Sequence, residues 1–450
     1  MTLGELAKRC GGKLFLASED VVLNGFTTDS REVQDGKVFL AIRGANVDGH
    51  SFASDVISQG ATAVLSEREC GVPSIVVDDL VDALARFGKS LREEFNYPVI
   101  GITGSNGKTT CKEYAAAALS VLGPVLKSPG NRNTEFTSPL VWFDMTGDQR
   151  SAVIEMAMRG SGQIQHLAEI SQPTIGIVTC IGTAHIEMVG SRAGIARAKG
   201  ELLESLPPDG LAIIWNEDDF QRDLRSMAPC DVESFGYGPE SDCRVLGYRA
   251  ESWNASQVLL QYRGEQFEIS LPAIGRFQAL NAAAAIIAAS RAGANLGDAA
   301  RAISSATLPP MRMEFREFGE AVILVDTYNA SPDSATAALT ALVEGPSSGR
   351  RIAILGEMRE LGDFSESGHR LVGRALAEAN PDFVLLTGGD TRYMYEEAVR
   401  TGYPAHKVEL LDEFNLEAVR KLIQSLRAGD VLLMKGSRAL AMESALEGLN

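Results

Sequence analysis

The segment Thr103-Gly104-Ser105-Asn106-Gly107-Lys108-Thr109-Thr110 carries the residue types that bind a polyphosphate. Glycines let the backbone curl so that successive N–H groups point inward at phosphate oxygens. Lys108 supplies a point charge for the β- and γ-phosphates, and the Thr109 hydroxyl is placed to ligate Mg²⁺. Gly104, Ser105, Asn106, Gly107, Lys108, Thr109 and Thr110 are therefore expected to hold ATP. The form is Gly-x-x-Gly-Lys-Thr, with Ile102 where the longer loop of transport ATPases and small GTPases has glycine. Its context is what separates it from a chance Gly-Lys-Thr. The apolar run Val99-Ile100-Gly101-Ile102-Thr103 predicts a strand before it, and a helix is expected to begin near Cys111.

Two further residues have types suited to a metal. Glu155 closes the run Ala152-Val153-Ile154, and a carboxylate that is awkward in a core is natural at the ligand-facing end of a buried strand. The alternative reading is a plain helix cap. His185, in Gly182-Thr183-Ala184-His185-Ile186-Glu187, follows the next strand and reads either as a ligand or as a satisfied structural histidine. No Ser-His-Asp or Cys-His constellation presents itself, so chemistry through an enzyme nucleophile is not indicated.

The elements that must position these groups alternate. Short runs at Val38–Ile42, Ala63–Leu65 and Ser74–Val77, with a helix ending near Gly60, predict a small α/β unit. Leu80–Phe95 is helical in pattern, and Tyr97-Pro98 breaks it. Continuous apolar runs at Ala152–Glu155, Thr174–Val178 and Leu211–Ile214 suit buried parallel strands. Such a doubly wound sheet binds ligands at the carboxyl ends of its strands. Pro309-Pro310 marks a second boundary, and strands at Val322–Val325, Ile352–Leu355, Phe383–Leu386 and Val431–Met434 follow. The expected fold is α/β in three domains: a small α/β N-terminal domain (1–82), a central doubly wound P-loop ATPase-like domain (83–308) and a C-terminal Rossmann-like α/β domain (309–450).

Composition bounds the partners. The balance of 42 basic and 59 acidic residues gives a net charge of −17, which opposes loose binding to nucleic acid or anionic lipid. An anionic substrate must therefore be met by a local basic cluster. The longest apolar stretch, Ala282–Ala289, is far short of the ~20 residues of a membrane helix, so no membrane insertion is expected. Six scattered cysteines without a C-x-x-C pair suit a reducing compartment, and Met1–Gly12 is no signal peptide. A cytoplasmic monomer is the expectation.

The phosphate loop, with the order of segments around it, resembles the Mur ligases, the amide-bond-forming enzymes of bacterial wall synthesis, over nearly the whole chain. Three stretches, Asp326–Ser334, Leu355–Gly362 and Lys435-Gly436-Ser437-Arg438, resemble the member that adds D-alanyl-D-alanine to UDP-N-acetylmuramoyl-tripeptide. The Asn-Pro-Arg stretch and Gly-His-Glu ending of the ligase adding the third residue do not occur.

The resemblance implies ATP-driven activation of a carboxylate as an acyl phosphate, which the amine then attacks. It places Glu155 and His185 at Mg²⁺. It makes Lys199, which by composition reads as an exposed helix lysine, a carbamylated residue orienting Mg²⁺ and the γ-phosphate. Lys108, Glu155, His185 and Lys199 form the expected catalytic set. Asn281 is implied at adenine with Asn329 beside it, and Arg312 and Asp326 at the phosphates and ribose. Substrate contacts are implied for Ser30, Arg31, Asp48 and His50 in the first domain, for Asn131, Asn133 and Thr134, and for Lys435, Ser437 and Arg438. The alternatives are another carboxylate–amine ligase of the superfamily (the third-residue enzyme or folylpolyglutamate synthase) and a nucleotide-gated ATPase.

Overall fold

A computed structural model describes residues 1–44 and 47–449. Three sheets organise them, with five, nine and six strands.

The first sheet orders its strands Lys13–Phe15, Ser74–Val76, Ala63–Ser66, Lys37–Leu40 and Gly25–Thr27, parallel except for the first pair. The helix Leu80–Arg92 follows, capped by Asp79, and packs its apolar face on the helix Leu3–Cys10 and on the turn Pro139–Asp144. The expected boundary at residue 82 falls inside this helix. Its Arg92 guanidinium ends in the central domain, donating to the carbonyls of Ser171 and Gln172.

The central sheet runs Glu265–Leu271, Ala255–Tyr262, Cys243–Ser252, Asp231–Gly236, Leu211–Trp215, Ile175–Val178, Val99–Thr103, Ser151–Glu155 and Val125–Lys127. The last seven are parallel, and four of them, Leu211–Trp215, Ile175–Val178, Val99–Thr103 and Ser151–Glu155, lie at the unbroken apolar runs. The other two continue an antiparallel meander from Cys243–Ser252. Sequence patterning did not announce it. The phosphate loop leaves the middle of the parallel part, between the strands Ile175–Val178 and Ser151–Glu155. Its helix begins at Lys108, three residues before the position expected, so the whole first turn belongs to the loop.

Against that helix lies Arg276–Arg291, whose Ala282–Ala289 stretch is buried on every side. Small side chains are what let it sit between the loop helix and the sheet. The last sheet runs Glu314–Phe318, Ala321–Asp326, Val431–Lys435, Arg351–Gly356, Phe383–Thr387 and Val408–Leu411, parallel but for its first hairpin.

Candidate active site

Gly104 (φ 150°) and Gly107 (φ 82°) take backbone conformations that side-chain-bearing residues avoid. At Gly107 a Cβ would also stand 2.6 Å from Asn281 Oδ1. Asn281 is thus packed directly against the loop, presented by the alanine-rich helix. Thr179 fixes the loop from below, its hydroxyl donating to the carbonyl of Asn106 at 2.5 Å, and Ser105 Oγ accepts from the amide of Gly182 at 2.9 Å. Lys108 curls back so that Nζ donates to the Gly104 carbonyl at 2.8 Å. Desolvation pushes its pKa down, aided by the nearby Arg312 and opposed by Glu155.

Glu155 stands where the strand register pairs it with Ile102, level with the root of the loop. It is 1 % exposed. Oε1 accepts from Thr109 Oγ1 (3.2 Å) and Asn133 Nδ2 (2.8 Å), while Oε2 has no hydrogen-bond partner. An orphaned, buried carboxylate oxygen beside a threonine hydroxyl is a costly arrangement for an empty core and a fitting one for Mg²⁺, which takes oxygen ligands. The groups around the Glu155 carboxylate are a hydroxyl and an amide on Oε1 and, 3.8 Å from Oε2, the Lys112 ammonium.

His185 is held differently. It adopts a left-handed backbone (φ 63°) and its Nδ1 lies 2.8 Å from Glu360 Oε2, a residue of the last domain that is itself left-handed. The imidazole holds the Glu360 carboxyl below the usual range. Here His185 bridges two domains.

Lys199 lies on the helix Arg192–Glu204 and is 1 % exposed, not a surface residue. Burial drives its pKa well below the lysine range, and neighbouring Lys108 drives it further; Cys180 alone opposes them. A neutral amine is the form that reacts with CO2, so the position fits a carbamate.

The last domain closes over this floor. Ser331 caps the helix Pro332–Glu344 through a reciprocal box with Ser334, worth about 1 kcal/mol, and its hydroxyl also donates to Asn106 Oδ1 at 3.2 Å. Asp333, in the first turn, accepts from both the amide and the hydroxyl of Thr183. Arg312 sits between Met311 (φ 59°) and Met313 (φ 54°), two left-handed non-glycine residues at a cost of roughly 1–3 kcal/mol each. The hook so formed lays its guanidinium 4.0 Å from the centre of the Tyr328 ring.

Asp326 and Lys435 are register partners on adjacent strands and pair at 2.6 Å; Asp326 also accepts from the Met313 amide, and Lys435 donates to the Asn329 carbonyl. Lys435 is 3 % exposed, so it fastens the Arg312 hook and not an open surface. The Asn329 side chain accepts from the following amide. Ser437 Oγ accepts from the Arg359 amide, and Arg438 pairs with Glu443.

On the substrate side Asn133 reaches Glu155, Thr134 bonds to Thr137 at 3.0 Å, and Asn131 is exposed. In the first domain Arg31 is exposed and pairs with Asp29, next to the half-buried Ser30. Asp48 and His50 are bonded to each other and to their own turn. His50 Nδ1 pairs with Asp48 Oδ1 at 2.6 Å, its Nε2 accepts from the Glu67 amide, and Asp48 Oδ2 takes Arg68. With both ring nitrogens engaged and the ring buried, His50 fixes the fold of its turn. The Asp48 carboxyl, bonded to His50, is held at about 2.

Lys112, Thr183, Ser331, Asp333 and Glu360 were missed as site residues. For two of them the signals were present: Ser331-Pro332 is a helix start with an acid in its first turn, and Lys112 stands one helical turn beyond Thr109.

A phosphate loop with a magnesium-type carboxylate, roofed by a second Rossmann-like domain, defines a nucleotide-dependent ligase. The comparisons agree. Residues 22–90 match the model of the Mur ligase family, catalytic domain; 102–289 match the Mur ligase middle domain; and 311–438 match the Mur ligase, glutamate ligase domain. A Synechocystis UDP-N-acetylmuramoyl-tripeptide–D-alanyl-D-alanine ligase is 34 % identical over 96 % of this chain and 93 % of its own. A crystal structure of MurF from Acinetobacter baumannii superposes with a TM-score of 0.87 at 30 % identity, covering 100 % of this chain and 98 % of the other. A MurF ligase from Thermotoga maritima in complex with ADP gives 0.81 at 28 % identity, over 96 % and 98 %. The chain belongs to the Mur ligase family.

Proposed function

We propose that this protein uses ATP to join UDP-N-acetylmuramoyl-tripeptide to D-alanyl-D-alanine, a step in making the peptidoglycan precursor. The observation that carries the reading is Glu155: one oxygen is shared by the phosphate loop (Thr109) and the loop facing the sugar–peptide (Asn133), and the other has no hydrogen-bond partner, with the Lys112 ammonium 3.8 Å away, and can take a metal. Nucleotide and carboxylate substrate thus meet at one side chain. Relatives that bear this activity in their names align along almost the full chain.

In the reaction a terminal carboxylate oxygen of the tripeptide attacks the γ-phosphorus of ATP, and the β–γ bond breaks to release ADP. The amine of the dipeptide then attacks the acyl carbonyl, loses a proton, and inorganic phosphate leaves. Lys108 and the loop amides neutralise the phosphates; Arg312 and Asn281 contribute from the roof and the floor. Mg²⁺, when bound at Glu155 and Thr109, supplies charge neutralisation on the transferred phosphoryl group. Lys199, carbamylated, would add a negative group to that site. Closure of the last domain through Ser331 and Asp333 excludes water from the acyl phosphate. ATP and a UDP-sugar are metabolites of the cytoplasm, and all six cysteines are free, which supports a cytoplasmic enzyme. Among the described residues no helix is long and apolar enough to cross a membrane.

The test is phosphate release with ATP, Mg²⁺ and UDP-N-acetylmuramoyl-tripeptide, with and without D-alanyl-D-alanine. Release that depends on the dipeptide, with a product heavier by that unit, is expected. Dependence on a single amino acid would make this a sister ligase, and release indifferent to any amine would leave a hydrolase.

A further inference from the structure

The segment Ser128–Thr134 is fastened at two points, and both lead to Glu155. Lys112, on the loop helix, has no exposed surface, and its Nζ donates to the carbonyls of Ser128 (2.8 Å) and Gly130 (3.0 Å). The same ammonium lies 3.2 Å from Glu113 Oε1 and 3.8 Å from Glu155 Oε2. The Ser128 hydroxyl accepts from the Glu155 amide at 3.1 Å. A few residues on, Asn133 donates to Glu155 Oε1. Gly130, at φ 53°, makes the turn between the two fastenings.

Burying an ammonium removes its hydration, and only carbonyls and carboxylates in the right places replace it. At Lys112 they do, and both carbonyls, of Ser128 and Gly130, belong to no helix or strand. If the residue served packing alone, a hydrophobe on this helix would fill the space without needing such partners. The cation is matched to the path of the segment.

We infer that Lys112 is a positioning residue: it sets the base of the segment at the height from which Asn133 reaches the magnesium carboxylate, so that the sugar–peptide loop and the phosphate site form one frame. The assignment of that loop to the UDP-linked substrate rests on the proposed function. Lys112 touches neither ATP-binding glycine, so its loss should fall on the carboxylate substrate and spare the nucleotide.

The experiment uses the full chain with Lys112→Met, Lys112→Gln and Asn133→Ala, and the double variant Lys112→Met/Asn133→Ala. Expected for Lys112→Met are a KM for UDP-N-acetylmuramoyl-tripeptide raised about tenfold or more, binding of a non-hydrolysable ATP analogue within about twofold of wild type, and faster amide exchange confined to residues 128–135. Lys112→Gln, which keeps two donors, should recover part of the KM, and the double variant should be scarcely worse than the worse single one. Exchange accelerated throughout the central domain, or analogue binding lost in parallel with the KM, would reduce Lys112 to a core residue and overturn the inference. So would additive effects in the double variant. The exchange and analogue readouts need no dipeptide: a wild type that fails to ligate it sinks the proposed function while leaving this inference to be judged on its own.

Discussion

Asp333 accepts two hydrogen bonds from Thr183, at 2.8 Å from its amide and 2.8 Å from its hydroxyl, although 150 residues separate them. Thr183 belongs to the floor of the phosphate site and Asp333 to the first turn of a helix in the roof. Together with Ser331 on Asn106 and Glu360 on His185, they make a polar seam between the two domains, beside the apolar residues they share. Such a seam can open.

Asp333→Ala removes both bonds from the closed form. Hydrogen bonds to a charged group contribute about 1.5–3 kcal/mol each, and exposure of Asp333 places this pair at the low end. A roughly hundredfold drop in kcat/KM for ATP is expected, with the melting temperature nearly unchanged because each domain keeps its core. Small-angle scattering with ATP should show a larger particle than wild type. Equal dimensions with full activity would mean the seam does not govern closure.

Lys108→Ala should lower kcat by about 10²–10³-fold, the usual effect of removing one charged group aimed at a developing phosphoryl transition state. Single-turnover phosphate release measures it. A change in KM alone would assign Lys108 to binding and not to transfer.

Lys199 yields two expectations. Activity should fall in CO2-free buffer and return with bicarbonate, and Lys199→Ala should be rescued in part by short carboxylates. For stability, the folded pKa is depressed by burial, so between that value and the ordinary lysine value of ~10.4 the unfolded chain binds more protons than the folded one. In CO2-free buffer stability therefore rises with pH through this window. Lys199→Met should flatten the rise in denaturant midpoints; an undiminished slope would point to another group.

His369 is fully buried in the last domain, where Nε2 accepts from the Met358 amide and Nδ1 lies 2.8 Å from the Ser365 carbonyl. Burial lowers its pKa, so as pH falls below ~6.5 the unfolded chain takes up a proton first and stability drops until the folded value is passed. His369→Gln should remove this acid-side loss, read as the denaturant midpoint between about pH 5 and 7. The same loss in the variant would exclude His369 as its source.

Much of the architecture was legible because buried parallel strands leave unbroken apolar runs, as at Val99–Thr103 and Val431–Lys435. The meander Cys243–Leu271 was not, because its strands are half exposed and leave no continuous apolar run: Arg244, Arg249 and Gln257 interrupt the apolar residues. Within the site, the phosphate loop and Glu155 were visible from residue type at strand ends. For Lys112 only its place one helical turn beyond Thr109 was visible, since its partners are backbone carbonyls brought close by the fold. His50 is ambiguous for a related reason: a histidine beside an aspartate reads as a binding pair whether it faces a ligand or the turn it stabilises.

The meander has one more effect. Its last strand, Glu265–Leu271, ends the largest sheet of the molecule and exposes Glu265, Gln266 and Glu268 along that border. An open sheet edge is a template for another chain, and like charges there repel a second copy before backbone pairing can start. A nine-stranded sheet is thereby finished with negative charge, which guards the protein against aggregation while its domains fold.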